Sequence, residues 1–113
     1  KKHKLVADLP RVFAQVQAHY RKDPAMTGAA LYAFAQEAAA AAGWRFGGKI
    51  AGHLVSEFAH ALIPGDKALY RISPENPTSM RDPDGHGRAR HWILEIHLVA
   101  PDGSFGGFYE RLL

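Results

Sequence analysis

The sequence predicts an α+β fold in which two helices pack on a mainly antiparallel sheet. Apolar residues recur at spacings of three and four in the first third of the chain, as in amphipathic helices. Near the C-terminus, apolar and polar residues alternate, as in a strand with one buried face. The length of 113 residues, with 47% hydrophobic and 22% charged residues, suits one domain with one core.

The first predicted helix has a single apolar face. Pro10 is expected inside its first turn with Asp8 near the cap, because proline lacks the amide hydrogen that a helix interior uses. Asp23-Pro24 is expected to end the helix, because a residue that precedes proline disfavours helical geometry. The residues of the apolar face are Leu5, Leu9, Val12, Phe13, Val16 and Tyr20.

The second predicted helix has clear boundaries. Thr27 is a suitable N-cap, and the alanine run from Ala38 to Ala42 strongly favours helix. Gly43 is the natural stop, because glycine tolerates the left-handed conformation in which many helices end. Leu31, Phe34 and Ala38 share one face, which we expect to pack closely against a neighbour.

The best predicted strand is "RHWILEIHLVA", residues 90 to 100. Pro101 to Ser104 form a predicted turn, after which Phe105 to Leu113 can return as an antiparallel partner. Residues 73 to 89 are rich in proline and glycine and predict a long loop. On the strand, Trp92, Leu94, Ile96 and Leu98 should face one side and His91, Ile93, Glu95, His97 and Val99 the other.

Composition excludes several classes of function. The absence of cysteine rules out disulfides and thiolate metal sites. No apolar run reaches the roughly 20 residues that span a bilayer, so we expect a cytoplasmic protein without membrane contact. The net charge of +3 is mild and its basic residues are scattered, which argues against nucleic-acid binding.

Histidines and glutamates are the candidate functional residues. Glu95 lies in an apolar strand, so it either faces solvent on an open sheet or has a cationic partner. His53 and His60 are seven residues apart and would face opposite sides of one strand, so a shared site requires a bend between them. A lone pair of histidines is more often structural than ligating. Imidazole nitrogen and carboxylate oxygen ligands for a metal are available from His53, His60, Glu57, Glu75, Glu95 and His97.

The order of these features resembles the pita-bread metallopeptidase family, which includes methionine aminopeptidases, Xaa-Pro aminopeptidases and creatinase. Two helices precede "AGH", a second histidine follows seven residues later, and "ISP" comes before "WILEIHLV" and a hairpin. The resemblance covers nearly the whole chain but only the C-terminal part of the family's domain. It implies that residues 1–113 are the C-terminal portion of a single pita-bread catalytic domain whose N-terminal portion is absent from this chain.

The resemblance also implies an activity and a site. It indicates a metal-dependent hydrolase, similar to Xaa-Pro aminopeptidases, that acts near the N-terminus of small peptides with one or two manganese, cobalt, iron or zinc ions. His53, Glu95 and Glu75 are the implied metal ligands. His60 and Glu95 are the implied catalytic residues, and His60 and His97 the implied substrate contacts.

Two departures from the family leave alternatives open. Ser73 stands where the family has a carboxylate ligand, and the two aspartate ligands of the family's N-terminal portion must come from outside this chain. The alternatives are a non-catalytic binding module with a degraded metal site that holds a peptide or protein, and a metal-free creatinase-like hydrolase. Because lone sheet edges are exposed, the expected partner besides a peptide is the missing half or a second copy, giving a homo-oligomer.

Overall fold

Two helices on one face of a four-stranded antiparallel sheet form the fold, as the sequence predicts. The computed structural model describes residues 2–55, 71–81 and 91–113. The elements in chain order are α1 (Lys2–Lys22), α2 (Gly28–Ala41), β1 (Arg45–Phe46), β2 (Gly52–Val55), β3 (His91–Val99) and β4 (Gly106–Leu112).

β3 is the central strand of the sheet. β4 pairs with it from Ile93 to Val99 and therefore occupies one edge along most of its length. β2 pairs with residues 91–94 and β1 with residues 98–99, so these two short strands share the opposite edge. The return of the chain through the turn at residues 101–104 to form β4 confirms the predicted hairpin.

The predicted alternation along β3 is also confirmed. Trp92, Leu94, Ile96 and Leu98 are buried in the core on the face that carries the helices. The residues between them are half-buried or exposed and point to the other side, here named the outer face. The cross-strand register places on the outer face His53, His91, Ile93, Glu95, His97, Val99, Phe108, Glu110 and Leu112.

α1 differs from its prediction at the start. The helix begins by Lys2, so Pro10 lies in its interior and Asp8 is not a cap. Pro10 is exposed, whereas Leu5 and Leu9 are buried, and their packing holds the helix together on both sides of the missing hydrogen bond. The predicted apolar face and the helix end before Asp23 are both confirmed.

α2 has the predicted boundaries. The Thr27 hydroxyl accepts a hydrogen bond from the Ala30 amide at 3.1 Å, as an N-cap does. After the helix, Gly43 adopts a φ of +90°, the left-handed conformation expected of a terminating glycine. The chain then turns directly into Trp44 and β1.

The irregular segment at residues 71–81 contacts both the helices and the sheet through hydrogen bonds. The Asn76 amide donates to the Arg71 carbonyl at 2.8 Å, and its oxygen accepts from the Thr78 amide at 3.1 Å. Arg81 donates to the Tyr20 carbonyl in the last turn of α1 at 3.0 Å. Because Arg71 also pairs with His53, this segment supports the end of β2 where the candidate site begins.

Candidate metal centre

Three side chains on the outer face converge on one point. His53, Glu95 and Glu110 each offer a ligand atom, and these atoms all lie within 4.8 Å of one another. It is the one group of three or more potential metal ligands of this kind in residues 2–55, 71–81 and 91–113. The three residues lie on three adjacent strands, so the pairing register of these strands sets the relative positions of the side chains.

The register of β3 with β4 sets the two carboxylates opposite each other. Glu95 pairs directly with Glu110, so their side chains emerge side by side on the outer face. Two like charges in directly opposed positions destabilise a sheet unless a cation or a proton is shared between them.

Gly52 brings His53 to the two carboxylates. Its φ of +144° is one that side chains rarely adopt, and an added Cβ would collide with the Ile93 carbonyl oxygen. Only glycine therefore allows β2 to approach β3 this closely. The next residue, His53, pairs with Ile93 and lies diagonally across from Glu95 on the same face.

The His53 ring has a defined orientation. Its Nε2 lies 3.6 Å from Glu95 Oε2, a distance longer than a good hydrogen bond but suitable for two ligands of one ion. Its Nδ1 lies 3.3 Å from the Leu54 carbonyl oxygen, which can only accept. A proton on Nδ1 leaves the Nε2 lone pair facing the carboxylates, the arrangement usual for a histidine ligand.

The electrostatic environment of Glu95 is unfavourable without a cation. Burial raises the pKa of the Glu95 carboxyl above its usual value, the facing Glu110 raises the pKa further, and His53 opposes both effects. The Glu95 side chain is only 17% exposed, so water compensates its charge poorly. A divalent ion would add positive charge beyond what His53 supplies among the described residues.

The donor set fits a divalent transition metal. Nitrogen and oxygen ligands lie about 2.0–2.2 Å from zinc, which puts neighbouring ligands of one ion roughly 3–4 Å apart. The observed separation of 3.6 Å falls in that range, and the remaining distances are small enough to close by side-chain rotation. One imidazole and two carboxylates suit manganese, iron, cobalt or zinc.

The other predicted site residues lie in different places. His97 is on the outer face two residues from Glu95, and its ring packs edge-on against Phe108 with centroids 6.1 Å apart. Glu75 is exposed in the 71–81 segment and is not part of the metal-ligand group. Its negative charge adds to burial in raising the pKa of the Tyr32 hydroxyl. His60 and Glu57 fall outside the described residues.

Ser73, which stands where the family has a carboxylate ligand, is a buried polar residue. The residue is 2% exposed, and within the described chain its Oγ has no hydrogen-bond partner. A buried, unpaired hydroxyl is unfavourable, and nothing in its surroundings explains it.

Glu110 was missed by the sequence analysis, although the sequence contains the information needed to find it. The turn at Pro101 to Ser104 makes Val99 pair with Gly106. Counting four residues back along one strand and four forward along the other then pairs Glu95 with Glu110. The register of the hairpin is therefore the sequence signal that locates Glu110.

The fold and site together define an α+β protein with a histidine and two glutamates gathered on the outer face of its sheet. Comparison with protein-family models, with curated proteins and with solved structures found no match. None of the helices in residues 2–55, 71–81 and 91–113 is both long and apolar enough to cross a membrane.

Proposed function

We propose that this chain is the C-terminal portion of a metal-dependent hydrolase of the pita-bread type, an aminopeptidase that acts near the N-terminus of small peptides. The observation that carries the proposal is the convergence of His53, Glu95 and Glu110 within 4.8 Å. His53 and Glu95 are the two ligands that the family resemblance implies. They are distant in the sequence, and their approach was not required by either helix or strand periodicity.

In this proposal, His53 Nε2 and one oxygen each from Glu95 and Glu110 hold a divalent ion. Such an ion polarises a carbonyl and lowers the pKa of a bound water. The Leu54 carbonyl fixes the His53 ring through Nδ1. A carboxylate that binds the ion through one oxygen keeps a second oxygen, which in Glu95 could accept a proton during the reaction.

The outer face also offers contacts for a peptide. Phe108 is 52% exposed and Leu112 is 58% exposed, and they flank Glu110 on the same side of β4. These side chains can contact the apolar part of a peptide whose reacting carbonyl lies at the carboxylates. His97, opposite Phe108, can donate a hydrogen bond to the same peptide.

Metal binding tests the ligand set. Isothermal titration with manganese and zinc should detect a site in the unaltered chain, and Glu95→Gln, Glu110→Gln and His53→Ala should each weaken it at least about a hundredfold. A loss of this size exceeds the 10–100-fold loss of metal affinity that is typical of replacing a residue that hydrogen-bonds to a ligand without binding the metal itself. Glu37→Gln on the exposed side of α2 is the matched control and should bind normally. Equal binding by all variants would contradict the site.

Hydrolysis tests the reaction. When this chain is combined with the N-terminal portion that the resemblance implies, short peptides with and without proline in the second position should be cleaved at the first bond, and only when the metal is present. Glu95→Gln should lower kcat by at least about a hundredfold with folding intact. Metal-independent cleavage would instead support a creatinase-like hydrolase.

A binding module is the second candidate, and the exposure of Phe108 and Leu112 beside the carboxylates favours it. Apolar side chains exposed together often mark a contact surface. This candidate predicts peptide binding without turnover, abolished by Phe108→Ser and unchanged by removal of metal. Turnover of any bound peptide would exclude it.

A further inference from the structure

A pocket lies on the helix side of the molecule, away from the outer face. This open pocket of about 450 Å³ forms where the start of α1, the end of α2 and the β3–β4 turn meet. Its volume is within the range of small-molecule pockets. Its lining is mainly apolar and includes Ala42, Trp44, Ala100, Pro101 and Phe105, with Lys4 and Asp102 as the charged residues.

The aromatic walls of the pocket are fixed. Trp44 is 6% exposed and packs edge-to-face against Phe105 at a centroid distance of 5.7 Å. The Trp44 indole donates to buried Asp8 at 2.8 Å, which sets its ring plane. A rigid aromatic corner of this kind binds flat or apolar groups with little loss of conformational entropy.

The charge of Lys4 is held in place at the wall. Its ammonium donates to Asp8 at 2.7 Å and to the Ala42 carbonyl at 2.5 Å, and lies 4.8 Å from the Trp44 ring centroid. An ammonium has three N–H donors, and these two hydrogen bonds use two of them. The third can donate to a carboxylate of a ligand.

The opposite charge is supplied by the turn. Hydrogen bonds from Ser104 lower the pKa of the Asp102 carboxyl, so it is ionised at neutral pH. The end of α2 adds the partial negative charge of a helix C-terminus. A ligand that carries only a carboxylate can pair with Lys4 but also faces the like charge of Asp102. One that carries only an ammonium can pair with Asp102 but also faces Lys4, whereas a ligand with both charges can pair with both residues.

We propose that this pocket binds a free α-amino acid with an aromatic or large apolar side chain. The carboxylate pairs with Lys4, the ammonium with Asp102, and the side chain packs on Trp44 and Phe105. The site is independent of the metal centre, because it uses none of the residues of the outer face.

The test uses the two tryptophan indole N–H resonances of the ¹⁵N-labelled chain. L-phenylalanine at millimolar concentration should shift the Trp44 resonance. The Trp92 indole, which donates to Met80 in the core at 2.8 Å, should stay unchanged and serves as the internal reference. 3-Phenylpropionate and 2-phenylethylamine, each lacking one of the two charges, should bind at least about tenfold more weakly, a difference of about 1.4 kcal/mol.

Two variants test the charges. Lys4→Gln and Asp102→Asn should each weaken L-phenylalanine binding at least about tenfold, while Lys22→Gln at the far end of α1 should leave it unchanged. Glutamine can still donate to Asp8, so the pocket wall is retained. The proposal is overturned if L-phenylalanine leaves Trp44 unshifted, if 3-phenylpropionate binds as tightly, or if both charge variants bind normally.

Discussion

Two carboxylates that are withdrawn from solvent have opposite environments in this protein. Asp8, on α1, is 4% exposed and accepts from the Trp44 indole and Lys4, with Arg11 at 3.4 Å. Glu95, on β3, faces the carboxylate of Glu110, and the His53 ring lies 3.6 Å from it. The hydrogen bond from Lys4 is the main cause of the lowered pKa of Asp8, whereas burial is the main cause of the raised pKa of Glu95.

The difference supports the proposal that Asp8 has a structural role and that Glu95 binds a ligand. Every partner of Asp8 belongs to the same layer of the fold, and the group connects α1 to the chain after α2. Among the described residues, Glu95 has His53 as its ion-pair contact at 3.6 Å, with the carboxylate of Glu110 facing it. Groups with perturbed pKa values concentrate at functional sites.

Removal of Asp8 should have the largest effect on stability. Asp8→Ala leaves the Trp44 indole N–H without its acceptor and removes two cationic contacts, so the free energy of unfolding should fall by about 2–4 kcal/mol. Urea denaturation followed by circular dichroism measures it. Glu37→Ala, an exposed carboxylate on α2, should change stability by less than about 0.5 kcal/mol. Similar losses for the two variants would show that Asp8 contributes no more to stability than an exposed carboxylate does.

The two carboxylates should also produce opposite pH dependences in metal-free protein. The pKa of Asp8 is lowered, so its contribution is present above pH 3.8 and is lost as the pH falls below that value. The pKa of Glu95 is raised, so its ionisation destabilises the fold at neutral pH, and this penalty disappears as the pH falls toward 4.5.

Thermal unfolding at a series of pH values measures both trends. The stability of the unaltered chain should rise relative to Glu95→Gln on going from neutral pH toward 4.5. It should fall relative to Asp8→Ala only below 3.8. Parallel curves for all three proteins would show that neither carboxylate is coupled to folding.

The smallest expected effect is a gain of stability. Glu95→Gln removes one of two facing charges, so metal-free protein should become more stable by up to about 1 kcal/mol. Glu110→Gln should act in the same direction, and the double variant should gain less than the sum of the two, because the repulsion is removed only once. Additive gains in this cycle would mean that the two carboxylates do not interact.

Local sequence patterns predicted the elements more reliably than they predicted the site. The apolar spacing of α1, the Thr27 cap, the Gly43 stop and the alternation along β3 all act within a few residues, and all are confirmed. The placement of Pro10 was wrong because packing on the sheet outweighs the local preference of proline. Glu75 was selected from its place in a motif, and the structure leaves it exposed and outside the metal-ligand group.

The sequence by itself determined two helices, a hairpin and the side of β3 on which Glu95 emerges, because helix and strand periods are properties of the local backbone. The tertiary structure decided which carboxylates and imidazoles meet. The grouping of His53 with Glu95 depends on the close approach of β2, which Gly52 permits, and Glu110 joins them through the register of β4. The hydrogen bonding of the buried Asp8 carboxylate likewise depends on Trp44. This residue is distant in sequence, and its indole reaches Asp8 only once the helices have packed.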